Sequence, residues 1–164
     1  MSSKYILAIE TSSSICGAAV IHNNEVLSIE EKDVRRKHAE LLPSLTKASL
    51  SNIRITLDDI DAIAISIGPG SFTGLRIGLG FSKGIAYAKN LPIIPVPSML
   101  SLAYSLREYE PKQGILHSHA NKVFFQTFRW ENNIPFPNEE PCVGEIDDYC
   151  QVLSHGFYYN CEDL

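Results

Sequence analysis

Hydrophobic positions in this chain follow first a strand rhythm and then a helical one. Residues 5–9 (YILAI) form an unbroken apolar run that predicts a buried strand, and runs over 16–22 and 25–29 follow with Asn23 and Asn24 between them. Asparagine tolerates positive φ, so this pair predicts a hairpin turn. His38, Leu41, Leu42, Leu45, Ala48 and Ser49 then recur at spacings of three and four, the signature of one helix face. Pro43 lacks an amide donor, so this helix either kinks there or begins its regular part nearby. Residues 61–67 (DAIAISI) predict a buried strand running into Gly68-Pro69-Gly70 and a helix over 72–89. A short strand over 93–96 and a helix over 98–107 follow. Strand, strand, strand, helix, strand, helix, strand, helix is the order of an α/β lobe, a mixed sheet with helices against it.

Residues 108–113 (EYEPKQ) are polar and contain a proline, which predicts a linker between a first lobe, 1–107, and a short second lobe, 108–164. In the second lobe 114–117 and 122–130 read as a hairpin turning at Ala120-Asn121. Residues 131–141 hold three prolines and predict a loop, and 145–153 predict a short helix.

With 164 residues, 45% of them apolar, the chain can bury a real core. A net charge of -5 argues against capture of nucleic acid by this chain alone, because neutralising phosphates takes clustered Lys and Arg. Cys16, Cys142, Cys150 and Cys161 include no C-x-x-C pair, and polar residues interrupt every apolar run near the N-terminus. A cytoplasmic protein with buried or inert thiols and no membrane contact is expected.

The segment 67–89, IGPGSFTGLRIGLGFSKGIAYAK, spends six of its 23 positions on glycine. One explanation is an anion site, since glycines between a strand and a helix bring backbone amides to the positive helix end. Against a dinucleotide fold, Gly68-x-Gly70-x-x-x-Gly74 is one residue too long and no acid closes the following strand; against a Walker loop, there is no Gly-Lys pair. The other explanation is close packing. Gly74 and Gly78 stack on one helix face, as do Gly80 and Gly84 on another. Four interior glycines cost roughly 4 kcal/mol relative to alanine, a cost that close approach of a neighbour would offset. Spacing alone leaves open whether that neighbour lies in this chain or in another.

Residues 6–21 (ILAIETSSSICGAAVI), 38–43 (HAELLP) and 68–78 (GPGSFTGLRIG) together resemble the TsaB (YeaZ) family, over roughly residues 4–107. The resemblance implies an actin-like ATPase (ribonuclease H-like) α/β fold and a non-catalytic subunit of the machinery that makes threonylcarbamoyladenosine in tRNA. It implies pairing with the catalytic paralogue TsaD through the first two helices, contact with TsaE through the complex, homodimerisation when alone, and only indirect contact with tRNA. Interface candidates are therefore His38, Leu41, Leu42 and Leu45 on the first helix and Gly74, Leu75, Arg76, Gly78, Leu79, Phe81, Ser82 and Ile85 on the second. Actin-like folds turn the loop after the first strand toward phosphate, which makes Glu10, Thr11, Ser12, Gly68, Gly70 and Ser71 candidate nucleotide contacts, with ATP or ADP at the complex interface. The alternative is a residual ATPase or a glycoprotease-type peptidase of the same superfamily.

Departures from the family also carry expectations. TsaD-like proteins place an H-x-x-x-H metal pair in the stretch matching 97–104, which holds no histidine here, so neither a metal nor a catalytic residue is expected. The polar residues of a family motif, Asp-Ala-Arg-x-x-Glu-Val-Tyr, are replaced at 117–124 (HSHANKVF), and members continue well beyond residue 158, so the second lobe is expected to be truncated. His117 and His119 share a strand face but make at most two ligands. Arg35, Arg36 and Lys37 read as a solvated helix start, Asp58, Asp59 and Asp61 as turn caps, and Arg76 as a charge for solvent or for a partner's carboxylate.

Overall fold

The computed structural model describes residues 4–150, 155–159 and 161. Strands β1 (Tyr5–Glu10), β2 (Ile15–His22) and β3 (Glu25–Asp33) form an antiparallel meander whose turn uses positive φ at Asn23 (50°) and Asn24 (68°). Helix α1 (His38–Asn52) leads through a 3-10 turn, Leu57–Asp59, into β4 (Ala62–Gly68), which pairs parallel with β1. Helix α2 (Phe72–Lys89) and β5 (Ile93–Pro97) complete a sheet of order β3-β2-β1-β4-β5.

Alternation places the first core. Leu7 pairs with Val20 and Ile63, and Ile9 with Ala18 and Ile65, so these side chains share one sheet face, which joins Leu42, Leu45 and Leu50 of α1 and Ala86 of α2 in a single buried cluster. Pro43 sits inside α1 with an exposed side chain, so its missing donor faces away from the core. Helix α2 is capped by Ser71, whose hydroxyl accepts from Gly74 N–H at 3.2 Å, and ends at Asn90 in the left-handed conformation.

Contacts divide the chain into two units. One runs to Ile67 and from Ser71 to Val96; the other comprises Gly68–Gly70 and everything from Pro97. The boundary expected at 107/108 therefore moves to 96/97, because α3 (Ser98–Ser105) buries Met99 and Ala103 in one cluster with Leu116, Phe128 and Phe157 of the second unit. That unit continues with β6 (Gln113–His119), β7 (Lys122–Glu131), β8 (Ile134–Pro137), β9 (Cys142–Glu145), α4 (Ile146–Cys150) and β10 (Gly156–Tyr159). The sheet runs β10-β6-β7-β8, with β9 on β7 as well. Gly114 makes room for Phe157, since a methyl there would stand 2.3 Å from the ring.

The loop expected over 131–141 holds β8, whose Pro135 and Pro137 pair with β7 at the sheet edge, where a missing donor is tolerated. Of the helix expected over 145–153, α4 covers the first part and 151–153 lie outside the described residues.

Candidate functional site

Helix α2 carries two glycine pairs with opposite surroundings. A Cβ built on Gly74 would lie 2.0 Å from the carbonyl oxygen of Thr11, and one on Gly78 would lie 2.2 Å from Thr11 Oγ1 and 3.1 Å from Ile65 Cδ1. These two glycines are buried, and they let the helix settle directly on the end of β1. Gly80 and Gly84 have nothing within 4 Å of a built Cβ.

Around the second pair lies an exposed stripe. Phe72 is 72% exposed and Tyr87 93% exposed, and Arg76, Lys83 and Ala88 are open as well. Arg76 holds its guanidinium 5.3 Å from the centre of the Phe72 ring. The spacing 72, 76, 80, 84, 87 runs straight down one helix side, so bare backbone is flanked at both ends by large aromatic groups.

The expected interface divides accordingly. Gly74, Gly78 and Ser82 are buried by this chain, as are His38, Leu42 and Leu45 of α1. They serve its own packing and cannot present themselves to a partner. His38 Nε2 donates to the Ser13 carbonyl at 3.0 Å, tying α1 to the β1–β2 loop. Leu41, Leu75, Leu79, Phe81 and Ile85 are half-buried at the flanks, and Arg76 is exposed. Phe72, Gly80, Gly84 and Tyr87 were missing from that list. Their exposure was legible once the helix phase was known, because they lie opposite Gly74, Gly78 and Ser82.

The candidate nucleotide contacts are also altered by the geometry. Thr11 continues the inward alternation of Leu7 and Ile9, is fully buried, and has no hydrogen-bond partner for its hydroxyl among the described residues. Covered by Gly74 and Gly78, it cannot reach a nucleotide. Glu10 points to the other sheet face, where its carboxylate accepts from the Ser66 hydroxyl and from the Ser12 amide. The Ser12 carbonyl accepts from Ser71 N–H at 2.7 Å. Glu10, Ser12 and Ser71 thus come together as an internally bonded loop. Gly68 and Gly70 group with the other unit, flanking a cis Gly68-Pro69 bond.

Remaining side chains carry less chemistry. His117 Nε2 donates to the Ala120 carbonyl at 2.9 Å, His119 bonds Ser118, and a register shift separates the two histidines. No group of three or more potential metal ligands occurs among the described residues. Asp59 closes a capping box with Thr56, Asp61 accepts from Tyr5 N–H at 2.8 Å, and Asp58 pairs with Lys89 at 2.5 Å. Cys16 is buried and Cys142 exposed. No helix among the described residues is long and apolar enough to cross a membrane.

A family model for TsaD, tRNA N6-adenosine threonylcarbamoyltransferase, matches residues 17–122. The tRNA threonylcarbamoyladenosine biosynthesis protein TsaB of Haemophilus influenzae is 32% identical over 73% of this chain and 52% of its own length. TsaB of Buchnera aphidicola subsp. Schizaphis graminum is 31% identical over 92% of this chain and 75% of its own length. The chain thus spans about half of the first relative and three quarters of the second. YeaZ from Pseudomonas aeruginosa superposes with a TM-score of 0.77 at 26% identity, over 85% of this chain and 67% of that one. The strand order and the placement of the helices are those of the actin-like, ribonuclease H-like α/β class.

Proposed function

The chain belongs to the TsaB family, and from that premise we propose that it is a scaffold subunit that pairs with TsaD and supports threonylcarbamoyl transfer to the adenosine beside the anticodon of tRNA. The observation that carries this reading is the open backbone at Gly80 and Gly84. Ordinary helices pack 8–10 Å apart, at a distance set by their side chains. Two glycines one turn apart allow a closer approach, and the exposed rings of Phe72 and Tyr87 supply the apolar area that anchors such a contact. Arg76, steadied by the Phe72 ring, offers a cation to a carboxylate on the partner.

The chain itself contributes surface rather than turnover. Both oxygens of the Glu10 carboxylate are engaged within the chain and Thr11 is buried, so ATP or ADP, if held by the complex, belongs at the junction with TsaD. The same reading includes homodimerisation through this surface in the absence of TsaD, and contact with TsaE through the assembled pair.

Sedimentation of the full chain, alone and with TsaD, tests this reading. Gly84→Leu is expected to abolish association while thermal unfolding and circular dichroism remain those of the wild type. Position 78 cannot serve, because it faces Thr11. A chain inert toward TsaD, or association indifferent to leucine at both 80 and 84, overturns the proposal.

A further inference from the structure

Four strands end the main paths of the two sheets, and three of them are protected against further pairing. β5 carries Pro95 and Pro97, β8 carries Pro135 and Pro137, and β10 is only four residues long. β3 has neither proline nor shortness to protect it; a bulge at Leu27 and its charged residues leave the segment from Ser28 to Asp33 as a regular edge that discriminates by charge. The strand is nine residues long, contains neither proline nor glycine, and exposes Val26 (60%), Leu27 (41%) and Ile29 (59%). Among the described residues no backbone bond reaches it from any strand but β2. Its outward amides and carbonyls are therefore a pairing template.

Charge selects the occupant. β3 carries Glu25, Glu30, Glu31 and Asp33 against Lys32 alone. Glu30 is held by Asn52 Nδ2 at 2.8 Å, and the other carboxylates appear in no ion pair among the described residues. The basic run Arg35, Arg36, Lys37 lies beyond the strand, past Val34. A second copy of β3 fits poorly, because two such strands would bring eight carboxylates and only two lysines to one seam. An extended segment alternating cationic and apolar residues satisfies both the backbone and the side chains.

We propose that β3 is a strand-addition site for an extended, lysine- or arginine-rich segment of a partner protein, independent of the α2 surface. Backbone pairing supplies the affinity. Beyond the bulge at Leu27, Ile29 and Glu31 share one sheet face, where Ile29 sets the register and Glu31 selects positive charge.

Amide hydrogen exchange of the full chain by NMR tests this, with a nine-residue peptide of alternating lysine and valine as the probe. Saturating peptide is expected to slow exchange of the outward β3 amides at least tenfold and to leave α2 unchanged. Ile29→Ser and Glu31→Lys, both at exposed positions, should each weaken binding at least tenfold with unchanged Tm, and added salt should weaken it further. The proposal fails if a glutamate–valine peptide protects β3 equally, or if neither substitution matters. It also fails if β3 stays unprotected with the probe, or becomes protected without peptide as chain concentration rises, which would assign the edge to a second copy.

Discussion

Gly78 lies directly over Thr11: a methyl group at position 78 would stand 2.2 Å from the threonine hydroxyl oxygen. The distance between α2 and β1 is therefore set by an absent side chain. Less than one helical turn separates this glycine from its opposite, Gly80, which meets nothing.

The two positions should respond with opposite signs. Gly80→Ala and Gly84→Ala each remove a weak helix former in open space and should stabilise the chain by about 0.5–1 kcal/mol. Gly78→Ala gains the same helix propensity but overpacks the Thr11 contact, and should destabilise by a net ~1–2 kcal/mol. Gly74→Ala, which meets a backbone carbonyl that cannot rotate away, should cost more than Gly78→Ala. Urea denaturation of the four variants decides this.

The exposed aromatics should matter to association and not to folding. Phe72→Ala and Tyr87→Ala are expected to leave the urea midpoint within about 0.5 kcal/mol of the wild type. Each should weaken pairing with TsaD by more than about 1 kcal/mol if the contact centres on α2. Sedimentation equilibrium provides the measurement.

Burial, and secondarily the Glu10 carboxylate, pushes the Cys16 thiol above its usual range. The folded chain thus keeps this thiol protonated where the unfolded chain ionises it, from ~8.5 upward. The stability this contributes is complete below that pH and is lost as the pH rises through the folded value. The stability advantage of wild type over Cys16→Ala should therefore be largest at neutral pH and narrow above about pH 9, as read by urea midpoints across that range. In the native chain at pH 8, Cys142 should be alkylated well before Cys16.

In the second unit Gly114→Ala should destabilise by about 1–3 kcal/mol, because the added methyl meets the Phe157 ring at 2.3 Å. Shortening the ring in Gly114→Ala/Phe157→Leu should recover part of that loss. A double-mutant cycle on the thermal midpoint gives the coupling.

The sequence carried the elements of the first unit well, because its signals are local: the Asn23-Asn24 turn, the three-and-four spacing from His38 to Ser49, and the apolar run entering Gly68. It undercounted β3, whose last four residues, Glu30 to Asp33, are polar and end the alternation although β2 keeps pairing with them. β8 was hidden by Pro135 and Pro137, which read as loop residues until an edge position accommodates them. The site was half legible. Glycine spacing separated the pairs 74/78 and 80/84 but not their surroundings, since the atom that decides, Thr11 Oγ1, comes from a strand some sixty residues earlier. Continuing the alternation of Leu7 and Ile9 to Thr11 would have shown it turned inward.

The close seat of α2 on β1 has a mechanical corollary. An eighteen-residue helix moves as a rod, and its first two turns are clamped, by Ser71 on Ser12 and by Gly74 and Gly78 on Thr11. Lifting that end by one methyl's breadth would tilt the whole lever, so Tyr87, three turns away, would swing outward although nothing near it had changed. A lesion in the interior would then be read first at the periphery, as a misaligned handshake rather than as a softened core.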